Sequence, residues 1–405
     1  MNKITTSVWF SCLPQLVSRI EHAHKDTVDC IHQIILKVLI DYPKQSVWHI
    51  ANLLQSMIPH RVAIGDDLVR KACISLGSVG ADDAGMLNDS KTFFRNLIDL
   101  AIAPPKDKEK RLVWKWPKNV KYSRFMVPMQ SILTTIPRAN VLADKGHTAM
   151  YIQSFNDTVD VALSKAKPKT LYLTTVCGNT IKFLCKQEKN GDLRKDARMM
   201  EFNTAVNRLF IDDPEARRRN LKLRTYAVVC LNEECGILEW VNNTSCLRHL
   251  IMEAHSYNPT EYPVVNSKEI FQSFSEMQID KADNLDGLIK EYRDIVLNKY
   301  KPCFRLWFLE AFPDPTAWID ARSIFTRSIA VWSSVGHVIG LGDRHTENVL
   351  IDTTCGECVH VDFDCIFNKG LTLARPEIVP FRLTPNIVDA MGVCGVEGTF
   401  RRTME

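Results

Sequence analysis

Two short apolar runs constrain this chain more than any other feature. Residues 348–351 (Asn-Val-Leu-Ile) and 358–361 (Cys-Val-His-Val) flank the turn-forming stretch Thr353-Thr-Cys-Gly-Glu357. Runs this short, with β-branched residues and a turn between them, are expected to be two strands of an antiparallel hairpin. A hairpin centred on Cys355 sets Asn348 opposite Asp362, with their Cβ atoms ~5 Å apart. An amide oxygen and a carboxylate placed so can share a hard cation such as Mg²⁺. Asp343 precedes this unit on a loop loosened by Gly340 and Gly342.

The rest of the sequence sets the frame. With 405 residues the chain can bury two or three separate cores, and 45% hydrophobic with 24% charged residues is ordinary for a globular protein. A net charge of +4 is too small to make nucleic acid or membrane the main partner. Thirteen cysteines, an odd number scattered through apolar and helical contexts, read as reduced thiols, and residues 1–14 show no secretory signal. No apolar run reaches the roughly 18 residues of a membrane span.

The first hundred residues read as paired helices. Val28, Ile31, Ile35 and Val38 recur at helical spacing until Tyr42-Pro43, and Val47, Ile50, Ala51 and Leu54 follow until Pro59. Phe93, Leu97 and Ala101 mark another helix, ending before Pro104-Pro105. Residues 106–124 hold eight Lys/Arg against two acidic residues around Trp114, Trp116 and Tyr122. A nucleic-acid patch is one reading of that mixture. The favoured reading is a solvated connection whose tryptophans dock on the next domain.

From about Tyr151 the period changes to strands, at 160–164, 169–174, 180–186, 224–231 and 236–241, with a helix through Met199, Phe202, Val206 and Leu209. Five strands and one helix make a small α+β lobe. After Asn242 the pattern is mainly helical again, most clearly over 319–336.

Asp343 lies five residues before Asn348, the interval between the catalytic Asp and metal-binding Asn of a protein-kinase catalytic loop. The local order, Asp343-Arg344-His345, reverses the His-Arg-Asp of ordinary kinases. Gly342-Asp-Arg-His-x-x-Asn348 followed by His360-Val-Asp-Phe363 resembles the signature of the phosphatidylinositol-3-kinase-like kinases. The runs Gly356-Glu-Cys-Val-His-Val-Asp-Phe-Asp364 and Pro376-Glu-Ile-Val-Pro-Phe-Arg-Leu-Thr384 are similar to the checkpoint branch of that family. So are Asp192-Leu-Arg-Lys-Asp196, Met200-Glu-Phe202, Arg224-Thr-Tyr226 and Glu239-Trp-Val-Asn-Asn243.

The resemblance implies an α+β bilobal kinase fold of the PI3K/PI4K kind, with a five-stranded N-lobe at 125–241 and a mainly helical C-lobe from 242. Residues 1–124 would be the end of a FAT helical scaffold and its linker. Glu405 would fall inside the catalytic lobe, with the later helices and the FATC segment missing. Asp343 would accept the substrate hydroxyl's proton, and His345 would stabilise charge on the transferred phosphoryl group. Asn348 and Asp362 would hold Mg²⁺, with Mn²⁺ an alternative. Lys186 would contact the α/β-phosphates of ATP, with Asp196 and Tyr226 near the nucleotide. Glu239-Trp240-Val241 would be the hinge, its backbone bonding adenine and Trp240 stacking on it. Residues 164–169, without glycine, would cover the phosphates. The implied function is a nuclear serine/threonine protein kinase of the DNA-damage checkpoint. It would act on Ser/Thr-Gln sites with a dedicated regulatory partner, engaging DNA indirectly and no membrane. The alternatives are a phosphoinositide lipid kinase and an inactive scaffold. Asp364 and Pro385 depart from the family pattern.

Cys355, Cys358 and His360 imitate half of a zinc site, but no second pair at suitable spacing accompanies them.

Overall fold

A computed structural model describes residues 4–77, 80–106, 109–134, 150–162, 166–189, 192–264, 272, 285–298, 301–374 and 376–405. The chain divides into two compact units. The first comprises residues 1–206 and 225–241; the second comprises 207–224 and 242–405. Among the described residues no helix is long and apolar enough to cross a membrane.

In the first unit, the long helices are α1 (Lys25–Asp41), α2 (Pro59–Leu76) and α3 (Ala81–Ile102). The apolar stripe of α1 is buried at Ile31, Ile34, Ile35, Val38 and Leu39, as its spacing requires. Pro59 opens α2 rather than merely closing the segment before it, because a proline's missing N–H is harmless in a helix's first turn. Helix α3 buries Phe93, Phe94, Leu97 and Ala101.

The sheet of this unit has seven strands, where the sequence pattern predicts five. They are β1 (Arg111–Val113), β2 (Ile152–Phe155), β3 (Thr158–Val161), β4 (Lys169–Thr175), β5 (Thr180–Gln187), β6 (Val228–Cys230) and β7 (Cys235–Glu239). Their order is β1-β3-β4-β5-β7-β6, with β2 also pairing with β4, and every pair is antiparallel. Strand β1 lies inside the basic stretch expected to be a connection. Three residues at an edge, with Arg111 facing solvent and paired to Asp160 at 3.3 Å, leave no alternation to read. The tryptophans of that stretch do dock. Trp116 stacks on Phe155 at 4.3 Å, and the Trp114 Nε1 donates to Asn96 at 3.0 Å. One core joins sheet and helices, with Phe93, Phe94, Phe125, Phe183 and Trp48 at its centre. Helix α4 (Leu193–Asp212) follows β5.

In the second unit, α5 (Leu247–Tyr257), α6 (Phe304–Ala311), α7 (Pro315–Val338) and α8 (Pro385–Ala390) accompany a three-stranded sheet. Its strands are β8 (Thr244–Cys246), β9 (Val349–Asp352) and β10 (Cys358–His360), in the order β10-β9-β8. Asp314 caps α7 by accepting from the Ala317 N–H at 2.9 Å, ahead of Pro315 at the first helical position. Pro385 likewise opens α8, so its rigidity suits the place it occupies.

The β9–β10 hairpin is pinned to α7. The Cys358 N–H donates to Ser328 Oγ at 2.9 Å, and the Cys358 carbonyl accepts from Trp332 Nε1 at 3.1 Å. The Trp332 ring then stacks on His360 with centroids 4.7 Å apart, 6° from parallel. At the turn, Gly356 has φ +76°, and a Cβ there would come within 2.6 Å of the Ala321 carbonyl on α7. Only glycine allows so close an approach.

Candidate active site

The hairpin register differs by one residue from the sequence expectation. His360 faces Val349, and Cys358 faces Ile351. The Asp352 N–H donates to the Glu357 carbonyl at 2.8 Å, so the connection has four residues, 353–356, and its centre falls between Thr354 and Cys355. Asn348 therefore meets Val361, whose N–H donates to the Asn348 carbonyl at 3.1 Å. Asp362 comes one place later, on left-handed backbone with φ +64°. A one-residue slip reverses the face of a strand residue, and leaving the strand for a left-handed turn redirects Asp362.

Asp343, Asn348 and Asp362 are tied together through their backbones. The buried Asn348 amide donates through Nδ2 to the Asp343 carbonyl at 3.0 Å, which leaves Oδ1 as the amide oxygen suited to a cation. The buried Arg344 guanidinium spans the loop and the end of β10. It donates to the carbonyls of Gly342 at 2.9 Å and Val361 at 2.8 Å, and also to that of Asp362. Through these bonds Arg344 orders the chain that carries both carboxylates. Asp343 is itself left-handed, φ +56°, and its N–H donates to Glu377 at 2.7 Å. Gly342 permits that contact, since a Cβ there would meet the same Glu377 oxygen at 2.7 Å. Burial, with Arg344 nearby, pushes the His360 imidazole well below its usual pKa, so the ring stacked on Trp332 is neutral.

His345 is exposed, and its Nδ1 faces the Glu347 N–H at 3.2 Å. With Nδ1 accepting, the neutral ring carries its proton on Nε2, which becomes a donor. The Asp364 carboxylate is held by Lys369 Nζ at 2.6 Å, and the Asp364 N–H donates to Asp362 Oδ1 at 3.4 Å. Among the described residues no group of three or more His, Cys, Asp or Glu side chains could hold a metal. One amide and one carboxylate fit Mg²⁺, which commonly takes one or two protein oxygens and fills its octahedron with phosphate and water.

In the first unit, Lys186 lies on β5 opposite in face to the buried Phe183 and Cys185. Its Nζ pairs with Glu188 at 2.8 Å, with the lysine side chain 13% exposed. Asp196 is buried in the first turn of α4, and the Tyr226 N–H reaches Met200 Sδ at 3.4 Å one turn further along. Tyr226 is itself buried. Of the amides expected at a hinge, Glu239 N–H donates to the Ala227 carbonyl at 2.8 Å and Trp240 N–H to that of Lys182 at 3.1 Å, so both are engaged within the sheet. The Glu239 carboxylate accepts from the Ala227 N–H at 2.9 Å, and the Trp240 ring is 39% exposed. Lys169, expected both to end the phosphate-covering loop and to open a strand, begins β4. It is buried, its Nζ donates to the Ala101 carbonyl at 2.7 Å, and burial lowers its pKa. Residues 164 and 165 of that loop lie outside the described residues.

Two partners of the site escape the sequence reading. Glu188 stands two residues after Lys186, one place past the end of β5, and period-two spacing was the available signal. Glu377 lies 34 residues from Asp343, and no local pattern joins them.

A family model described as phosphatidylinositol 3- and 4-kinase matches residues 180–405, and one described as serine/threonine-protein kinase ATR-like, HEAT repeats matches residues 1–99. The serine/threonine-protein kinase ATR of Arabidopsis thaliana is 36% identical over 425 residues, covering 100% of this chain and 15% of that protein. Protein kinase rad3 of Schizosaccharomyces pombe is 35% identical over 420 residues, covering 100% and 17%. The chain thus spans about a sixth of the length of these relatives. A solved structure described as the FAT and kinase domain of CtTel1 superposes with a TM-score of 0.81 at 30% identity, covering 100% of this chain and 28% of that one. The chain belongs to the phosphatidylinositol 3- and 4-kinase family and carries ATR-like helical repeats ahead of its kinase-family segment.

Proposed function

We propose that this chain is part of an ATR-like serine/threonine protein kinase that transfers the γ-phosphate of ATP to Ser/Thr-Gln sites. The observation that carries this reading is the single hydrogen-bonded network through Asp343, Arg344, Asn348 and Asp362. Residues 125–241 are read as the N-lobe, 242–405 as the C-lobe and 1–124 as scaffold and linker.

In this reading the Asp343 carboxylate accepts the proton of the substrate hydroxyl. His345 donates from Nε2 to the phosphoryl group as charge develops on it. Asn348 and Asp362 hold Mg²⁺, with Mn²⁺ an alternative; the bound cation neutralises phosphate oxygens. Lys186 meets the α/β-phosphates as a point charge, kept in place by Glu188. Asp196 and Tyr226 support the nucleotide side, and the Glu239-Trp240-Val241 backbone and the Trp240 ring receive adenine.

Protein rather than lipid as acceptor follows from the sparse charge over residues 364–384. That segment holds Lys369, Arg375 and Arg382, and Lys369 is already paired with Asp364. A loop for a multiply phosphorylated inositol ring needs more free cations. By the same reading the enzyme acts in the nucleus, in the DNA-damage checkpoint, with an ATR-interacting regulatory partner and indirect engagement of DNA; the resemblance to ATR supports this.

The test is a labelled-phosphate assay with Mg²⁺-ATP, comparing a Ser-Gln peptide with phosphoinositide vesicles. It uses the 405-residue chain and a version in its full-length context, each with and without Asp343→Asn. The expected result is labelling of the peptide alone, abolished by Asp343→Asn while ATP still binds. Loss of ATP binding with the activity would remove the role given to Asp343, and labelling of vesicles alone would establish the lipid reading. ATP binding without transfer to either acceptor by the full-length protein would favour a scaffold.

A further inference from the structure

Asp343 stands on a loop without regular secondary structure, in a left-handed conformation, and one side chain from a distant segment reaches its backbone. That side chain is Glu377. Its Oε2 accepts from the Asp343 N–H at 2.7 Å, a charge-assisted contact. Its own N–H donates to the Gly370 carbonyl at 3.1 Å, so the residue is held at both ends. Gly342, next to Asp343, leaves open the space the carboxylate occupies. The neighbours Ile378 and Val379 are 85% and 66% exposed, so this stretch is fastened by Glu377 rather than by a buried apolar anchor at those two positions.

We propose that Glu377 is a positioning residue: by binding the Asp343 N–H it holds the proton-accepting carboxylate in its working place, linking residues 370–380 to the chemistry. The proposal rests on the kinase reading above. A displacement of about 1 Å at a reacting group can cost on the order of a hundredfold in rate, so one hydrogen bond at this point is enough to matter. What the arrangement requires of Glu377 is reach and an acceptor oxygen, not charge.

Two conservative variants in the full-length protein separate these requirements. Glu377→Gln keeps the length and an acceptor oxygen. Glu377→Asp keeps the charge but withdraws the carboxylate by about 1.5 Å, past hydrogen-bonding distance. The Glu377 N–H bond to Gly370 survives in both. The expected result is a kcat within about threefold of wild type for Glu377→Gln and lowered about tenfold or more for Glu377→Asp, with KM for ATP changed less than about threefold in both. In parallel, amide exchange over 341–346 accelerates in Glu377→Asp and not in Glu377→Gln, whether or not the protein turns over. The reverse order, equal losses, no loss in Glu377→Asp, or a rise in KM for ATP matching the fall in kcat would each overturn the proposal. Exchange in the expected order with a wild type that labels no peptide would leave the contact standing and refute the kinase reading, and with it the positioning role.

Discussion

Replacing Arg344 with lysine should destabilise the second unit while leaving the first untouched. The guanidinium donates to three carbonyls, those of Gly342, Val361 and Asp362, and its Cζ lies 5.6 Å from the centre of the Phe363 ring. A lysine ammonium retains the charge but is a single point on a flexible stem, so it can satisfy one of those carbonyls well and leaves about two. A hydrogen bond to a charged group is worth about 1.5–3 kcal/mol, and water admitted into the gap offsets part of that. A net loss of about 2–4 kcal/mol follows. For a unit of about 180 residues that corresponds to a fall in Tm of about 4–16 °C. Calorimetry on the 405-residue chain, with fragments followed by hydrogen exchange, reads the fall and assigns it to a unit. A drop below about 1 °C, or one shared equally by peptides from α1, would refute the reasoning that three carbonyls depend on this one side chain.

Two further substitutions test the hairpin. Gly356→Ala places a Cβ 2.6 Å from the Ala321 carbonyl at a φ of +76° and should destabilise by about 2–4 kcal/mol, measured by urea unfolding. Asp352 is buried, yet the bonds from Thr354 and Arg224 outweigh burial and hold its pKa below the usual carboxylate range. Its contribution is therefore complete above the ordinary value near 4 and is lost as the pH falls through the depressed native value. Asp352→Asn should be less stable than wild type by about 2 kcal/mol at pH 7, with the gap closing in acid; a gap independent of pH would contradict this.

Much of the second unit was legible from local chemistry. The hairpin, the Asp343–Asn348 interval and the long helix α7 follow from short-range periodicity, and the family signature rests on the same residues. What failed was a count: a four-residue connection and a five-residue one look alike in Thr353-Thr-Cys-Gly-Glu357, and the pairing of Asp352 with Glu357 selects the shorter. Strand β1 was invisible because an edge strand of three residues buries too little to impose a pattern. Lys169 was misplaced for a different reason. The resemblance set it at the end of the phosphate-covering loop, while the Ala101 carbonyl that receives its Nζ is 68 residues away. Glu377 belongs with it: both contacts join chain segments whose local sequence says nothing of the other.

The left-handed backbone at Asp343 and Asp362 bears on how loss-of-function alleles should be compared. Aspartate and asparagine visit that conformation readily, whereas a residue such as alanine is penalised there by about 1–2 kcal/mol. An alanine allele at either position is a double lesion: it removes the carboxylate and loosens the turn that presents it. An asparagine allele removes the charge and leaves the turn intact. Two such alleles, both scored as null for phosphorylation, should therefore part company in protein abundance, with alanine the scarcer.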